Sequence, residues 1–116
     1  MQFDFRRFAR VVMNVYPGGP YTIEETLKVF WYFFSRYEEF TGEPHPPVKS
    51  GQIKRLAKAM PYMGNDIISA VADIKPDEYP EIIDRYFNTP FKNCDYRINH
   101  FFSGKIREMR WYEMYY

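Results

Sequence analysis

One cysteine and two histidines are the side chains of this sequence best suited to nucleophilic or metal chemistry. Cys94 and His100 stand six residues apart, and His45 lies between prolines, where we expect it to be exposed. A thiol nucleophile needs an imidazole within reach and a site for an oxyanion, and the sequence indicates neither. Three such residues also fall short of the four ligands of a typical zinc site. We therefore expect no catalytic residue, no metal and no cofactor, and interpret the protein as a non-enzyme.

Cationic residues in two separate segments indicate a different chemistry, the binding of phosphates. The chain has 16 Lys and Arg against 15 Asp and Glu, yet residues 43–62 sum to +3 and 97–116 to +2, whereas 63–96 sum to −4. The candidate nucleic-acid contacts in the two basic segments are Lys54, Arg55, Lys58, Arg107 and Arg110. Side by side, they would hold single-stranded DNA through its phosphates. The alternative is that Lys54, Arg55 and Lys58 form an ordinary solvated helix face.

Aromatic residues, at 21% of the chain, are the outlier of the composition. Large aromatic side chains that stay exposed are typical anchors of protein interfaces. The candidates for partner binding are Trp31, Tyr32, Trp111 and Tyr115. The alternative for Trp111 and Tyr115 is that they are buried in the core, since a chain with this many rings must bury most of them.

The elements that would position these residues are helices, because apolar residues recur every three or four positions and strand signals are scarce. The predicted segments are a helix over roughly Asp4–Val15, a helix capped by Thr22 with Glu25 and ended by Gly42, a helix capped by Ser50, a short helix over Asn65–Ile74, a helix that starts near Asp77, and a final segment capped by Asp95 and broken near Ser103 and Gly104. The expected stripe of the fifth segment is Tyr79, Ile82, Ile83, Tyr86 and Phe87. Capping boxes, prolines and glycines set these boundaries.

The length of 116 residues corresponds to one domain. We predict an all-α fold, with residues 1–116 forming a single compact domain of five to six helices. A single cysteine favours a reducing compartment. The beginning of the sequence has no signal-peptide pattern, and the longest apolar run, Val29–Phe34, is too short to cross a bilayer. These features predict a cytoplasmic protein without membrane contact.

A series of short motifs across residues 27–90 is typical of one known family. The motifs are Phe30 with Tyr37 and Glu38, the turn Thr41-Gly42-Glu43-Pro44, the segment Asp66-Ile67-Ile68-Ser69-Ala70-Val71, and Tyr79-x-x-x-Ile83-x-x-x-Phe87. This layout resembles the C-terminal domain of DnaD-like primosome proteins and phage replisome organisers. The resemblance implies a helical domain that binds single-stranded DNA and helicase-loading partners. It places DNA contacts on Tyr79, Ile83 and Phe87, with Phe87 where the family has tryptophan.

The C-terminal part of the chain, residues 94–113, resembles small uncharacterised proteins of Gram-positive bacteria, their phages and mobile elements. Two functional hypotheses follow from the sequence. The first is a small accessory protein of DNA replication or of phage and mobile-element biology that binds single-stranded DNA, a replication partner or both. The second is a helical interaction module or inhibitor that binds a host protein or a second copy of itself through an aromatic patch, with no nucleic-acid contact.

Overall fold

The protein is built from helices throughout the part of the chain that the structure describes, residues 3–15, 19–63 and 73–116. In this computed structural model the elements are α1 (Phe5–Val15), α2 (Ile23–Thr41), α3 (Ser50–Ala59), a 3₁₀ turn (Pro76–Glu78), α4 (Tyr79–Phe87), α5 (Ile98–Phe101) and α6 (Ile106–Tyr115). The radius of gyration is 13.5 Å, close to the roughly 13 Å expected of a compact domain of this length. The predicted all-α fold and single domain are confirmed.

The ends of α2 follow the local signals in the sequence. The Glu25 N–H donates to Thr22 Oγ1 at 3.1 Å, and Glu25 Oε1 accepts from the Thr22 N–H at 2.8 Å, so the predicted capping box is present. Gly42 adopts a left-handed φ of 79° and donates its N–H to the Glu38 carbonyl. A side chain at that dihedral would be strained, which is why the helix ends on glycine.

Two other helix starts differ from prediction by a few residues. Ser50 is the first residue of α3 and not its cap; Lys49 is the N-cap, and its N–H donates to Gln52 Oε1. The α4 segment begins with the 3₁₀ turn from Pro76, and α-helical geometry starts only at Tyr79. The predicted helix over Asn65–Ile74 lies, except for its last two residues, outside the described residues.

The final segment is broken where the sequence predicted. Gly104, with φ 53°, lies between α5 and α6. Asp95 Oδ1 accepts from the Arg97 N–H at 3.0 Å, immediately before α5, whose N-cap is Arg97. Asp95 therefore lies two residues before the N-cap, and the prediction that it caps the final segment is wrong.

Aromatic side chains make up half of the buried apolar residues among those described. The Phe33 ring lies 5.1 Å from that of Phe87 and 5.2 Å from that of Phe101, which joins α2, α4 and α5. Along the fold, α1 packs against α2 and α3, α2 packs against α4, and α4 packs against α6. Burying a phenylalanine contributes roughly 1.5–3 kcal/mol. The aromatic excess of the composition is thus in large part a structural feature.

His45 is half-buried, contrary to the expectation that it would be exposed. Its ring lies 4.6 Å from that of Phe34 and 4.7 Å from that of Tyr37. His45 Nδ1 donates to the Pro46 carbonyl at 2.7 Å, while Nε2 accepts from the Ile98 N–H at 3.1 Å. The imidazole is therefore neutral, and it links the proline-rich connection to the first turn of α5.

Acidification should destabilise the fold through His45. Burial lowers the pKa of His45 from its ordinary value of 6.5, so the folded state releases this proton more readily than the unfolded state. The contribution is complete above about pH 6.5 and is lost as the pH falls towards the lowered folded-state pKa. We expect the free energy of unfolding of the wild type to decrease over this interval and that of His45→Gln to decrease less. Urea denaturation at a series of pH values measures both, and parallel curves would contradict the assignment.

None of the helices in the described ranges is long and apolar enough to span a bilayer.

Candidate functional site

Tyr79, Ile83 and Phe87, which the DnaD-like resemblance assigns to DNA, lie in the core. Tyr79 and Ile83 are 0% exposed and Phe87 is 3% exposed. Their spacing of four residues makes them the inward stripe of α4, packed against α2 and α6. The expectation that they contact DNA is therefore wrong for this conformation, because they present no surface on which a base can stack.

Arg107 is also buried, with 4% of its surface exposed. Its Nη1 donates to Tyr79 Oη at 2.7 Å and lies 3.4 and 3.5 Å from the Ala59 and Met60 carbonyl oxygens. Its guanidinium stands over the Phe102 ring at 4.5 Å. These carbonyls belong to the C-terminal end of α3, where the helix dipole attracts a cation. Arg107 joins α6 to α3 and is unavailable to phosphate, which corrects the sequence interpretation.

Arg110 is held in the same way by groups of the protein. Its Nε and Nη2 donate to both carboxylate oxygens of Glu113 at 2.9–3.2 Å, and its guanidinium faces the Phe91 ring at 5.6 Å. Only 9% of the residue is exposed. The bidentate carboxylate of Glu113 neutralises the charge of Arg110. Arg110 is therefore not a phosphate contact, contrary to the sequence prediction.

The three cations of α3 have the opposite placement. Lys54, Arg55 and Lys58 are exposed, while the other side of α3 buries Ile53 and Leu56 in the core. None of the three forms an ion pair with a carboxylate of the described residues. Arg107 and Arg110 of α6 therefore do not contribute to a phosphate-binding surface, whereas the three cations of α3 are available to one.

A different helix supplies the neighbouring charge. α1 packs against α3, and the Arg7 side chain donates to the Val48 carbonyl just before α3 begins. Arg6 and Arg10, one turn apart, are exposed on the outer side of α1. Together α1 and α3 contain six arginines and lysines and no aspartate or glutamate. We call the exposed five, Arg6, Arg10, Lys54, Arg55 and Lys58, the α1–α3 basic face.

The four residues predicted to bind a protein partner fall into two pairs. Tyr32 donates to Asp84 Oδ1 at 2.8 Å, and burial together with this carboxylate raises the pKa of Tyr32 to about 12. Trp111 Nε1 donates to Glu78 Oε2 at 3.0 Å, and the Tyr115 hydroxyl donates to the same oxygen. Trp111 is half-buried and Tyr115 is exposed. The α6 pair is therefore fixed against the 3₁₀ turn.

Trp31, the fourth of these residues, is 43% exposed and lines an open apolar groove. The groove has a volume of about 870 Å³. Its described walls come from α2, the 3₁₀ turn and the start of α4, together with Phe5 of α1. The sequence predicted Trp31 and Tyr32 as exposed aromatic anchors. Trp31 is exposed, Tyr32 is half-buried, and the structure adds Pro76 and Pro80 to the same groove.

Cys94 and His100 meet in a polar cluster that sequence reasoning did not find. Cys94 Sγ lies 3.2 Å from His100 Nδ1, and Tyr86 Oη lies 2.8 Å from the same nitrogen. The Tyr96 N–H donates to the sulfur at 3.2 Å. Burial is the main cause that raises the pKa of Tyr86, and the contact with Cys94 is the second. The phenol therefore stays protonated and can donate a hydrogen bond. The four groups satisfy one another and attach the loop between α4 and α5 to both helices.

Among the described ranges, no group of three or more histidine, cysteine or acidic side chains is arranged to hold a metal ion. Comparison of the chain with family models, with curated proteins and with solved structures yields no match.

Proposed function

We propose that this protein is a non-enzymatic nucleic-acid-binding protein that holds single-stranded DNA through the phosphates along the α1–α3 basic face. The observation that supports the proposal most is the absence of acidic residues from two adjacent helices that carry six cations. The rest of the chain has a net charge of −5, so the near-neutral total results from positive and negative charge in different parts of the chain. Such a division produces a local positive potential that attracts a polyanion.

The composition of the face indicates how DNA would be bound. The aromatic residues of the DnaD-like motif are buried. The large apolar residues exposed on α1 and α3 are Phe5, which lines the apolar groove, and Met13; the other exposed positions of the two helices are charged, polar or small. Contacts would therefore be made to phosphates, which carry no sequence information. A flexible single strand can follow the two helices, whereas a duplex presents its phosphates on a rigid surface. We expect binding that is independent of sequence and prefers single strands.

Fluorescence anisotropy with a labelled oligothymidylate tests this proposal. Single strands release counterions with a slope of about −0.7 per phosphate contact, so five contacts predict a slope of log K against log salt of about −3.5. We expect an arbitrary mixed sequence to give the same affinity and slope. An absence of binding at about 50 mM salt, or a slope close to zero, would contradict the proposal and favour the interaction module without nucleic-acid contact.

A role in DNA replication, or in phage and mobile-element biology, is a further proposal that the DnaD-like resemblance motivates. In that setting a single-strand-binding accessory protein would also contact a replication protein. The cytoplasm is the compartment consistent with such a role.

A further inference from the structure

The apolar groove is walled by two rows of side chains at helical spacing. Ile23, Leu27 and Trp31 are successive i, i+4 positions on α2. Pro76 and Pro80, also four residues apart, line the same groove from the 3₁₀ turn and the start of α4. With a rise of about 1.5 Å per residue, the α2 row is about 12 Å long. Two turns of a second helix would match that length.

The walls restrict the shape of the occupant. They are helices and prolines, which offer no row of unpaired backbone donors and acceptors for an added strand. An amphipathic helix needs none, because its own backbone is satisfied internally and it binds through side chains at i, i+4 and i+7. Trp31 and Phe5, 43% and 49% exposed, are the large apolar surfaces that such side chains would cover.

The rim of the groove restricts the charge of the occupant. The described lining of the groove contains three acidic residues, Glu24, Glu25 and Asp77, and one cation, Lys28. Lys28 Nζ lies 3.5 Å from Glu24 Oε1. The carboxylate of Glu25 also accepts from the Thr22 N–H in the capping box, so it is fixed at the rim. The described lining thus has a net charge of −2. Positive residues beside the apolar anchors of a partner would be attracted, and acidic ones repelled.

We infer that this groove is a docking site for an amphipathic helix of a protein partner, with apolar side chains at i, i+4 and i+7 flanked by lysine or arginine. The inference is independent of the α1–α3 basic face, whose opposite charge suits a different ligand. Trp31 would be the main anchor, since a partly exposed tryptophan in an apolar groove is a typical hot spot.

A displayed library of helical peptides tests the inference. Peptides of about 18 residues, five helical turns, would keep leucine fixed at i, i+4 and i+7 and carry random residues elsewhere. We expect selection on the 116-residue protein to enrich lysine and arginine beside the leucines. An enrichment of acidic residues, or retention that is equal on wild type and on Trp31→Ala, would overturn the inference.

Affinities of one selected peptide for matched variants locate the site. We expect Trp31→Ala, and separately Glu24→Lys with Asp77→Lys, to weaken binding at least about tenfold. Tyr116→Ala removes an aromatic ring that is 94% exposed elsewhere and should have no effect. Because Trp31 is exposed, its replacement should leave the circular dichroism spectrum and oligonucleotide binding unchanged. Failure of peptide binding is thereby distinguishable from failure of the proposed DNA binding.

Sedimentation of the protein without peptide tests the alternative that a second copy of the chain occupies the groove. We expect the wild type and Trp31→Ala to sediment identically. A wild-type dimer that dissociates in Trp31→Ala would show that a second copy of the chain fills the groove, and would overturn the assignment to a different protein.

Discussion

Replacing Lys54, Arg55 and Lys58 together with glutamate should weaken binding of single-stranded DNA by about 100-fold or more. Each lysine or arginine that neutralises a phosphate releases counterions, and a glutamate in its place repels the strand. The three side chains are exposed and lie on the outer side of α3, so the exchange should leave the core intact. Anisotropy measures the affinity, and the slope against log salt should become shallower by about two units, 0.7 for each lost contact.

A control triple variant separates the α1–α3 basic face from net charge. Lys75, Lys92 and Lys105 are exposed residues outside α1 and α3, and their replacement by glutamate changes the total charge by the same amount. We expect this variant to retain most of its affinity. Equal loss in both variants would show that binding depends on overall charge alone and that no defined face exists.

Arg107→Ala should lower the free energy of unfolding by about 2–4 kcal/mol. The substitution removes a charged donor from Tyr79 Oη and from the carbonyls that end α3, and it leaves an unfilled space beside Phe102. Losing such buried contacts to an ionised group typically has this cost. Urea denaturation measures the effect. Arg97→Ala, at an exposed residue with a single carboxylate near it, should change stability little.

Arg107→Ala also distinguishes the structural role of Arg107 from the phosphate contact that the sequence predicted. A double-mutant cycle with Tyr79→Phe should show a coupling free energy, because the two side chains share a buried hydrogen bond. If Arg107→Ala left stability unchanged but weakened DNA binding, the guanidinium would have to be accessible to phosphate. That result would contradict its burial.

Among the residues that the structure describes, the local pattern of the sequence was sufficient to predict the helices, apart from small shifts at their starts, and much of the core. The Thr22 and Glu25 capping box, Gly42 and the α4 stripe of Tyr79, Ile83 and Phe87 are set by neighbours within a turn. The same stripe explains the apparent DNA motif. A spacing of four residues between large side chains is what packing of a buried helix face requires, so it does not by itself indicate a binding surface.

The orientation of α6 was not predictable from its own sequence. In α6 the apolar Met109 is 50% exposed, while Arg107 and Arg110, predicted to bind phosphates, are buried. The reason lies elsewhere in the chain, in the carbonyls at the end of α3 and in the aromatic rings of Phe91 and Phe102. A local hydrophobic pattern contains no information about such distant acceptors.

The α1–α3 basic face was half visible in the sequence. Arg6 and Arg10 are on the polar side of the predicted first helix, but the balance of charge over residues 1–42 is zero and concealed them. That they lie on a helix packed against α3 depends on the contact of two helices more than 30 residues apart in the sequence. The groove was also not predictable from local sequence, since Trp31 and Pro80 line it together only because α2 contacts α4.

Amide chemical shifts measured during titration with oligothymidylate test the central claim most directly. We predict that the largest changes occur at Arg6, Arg10, Lys54, Arg55 and Lys58, and that they diminish as salt is added. Changes centred on Trp31 and the groove, or spread evenly over the protein, would contradict binding by the α1–α3 basic face.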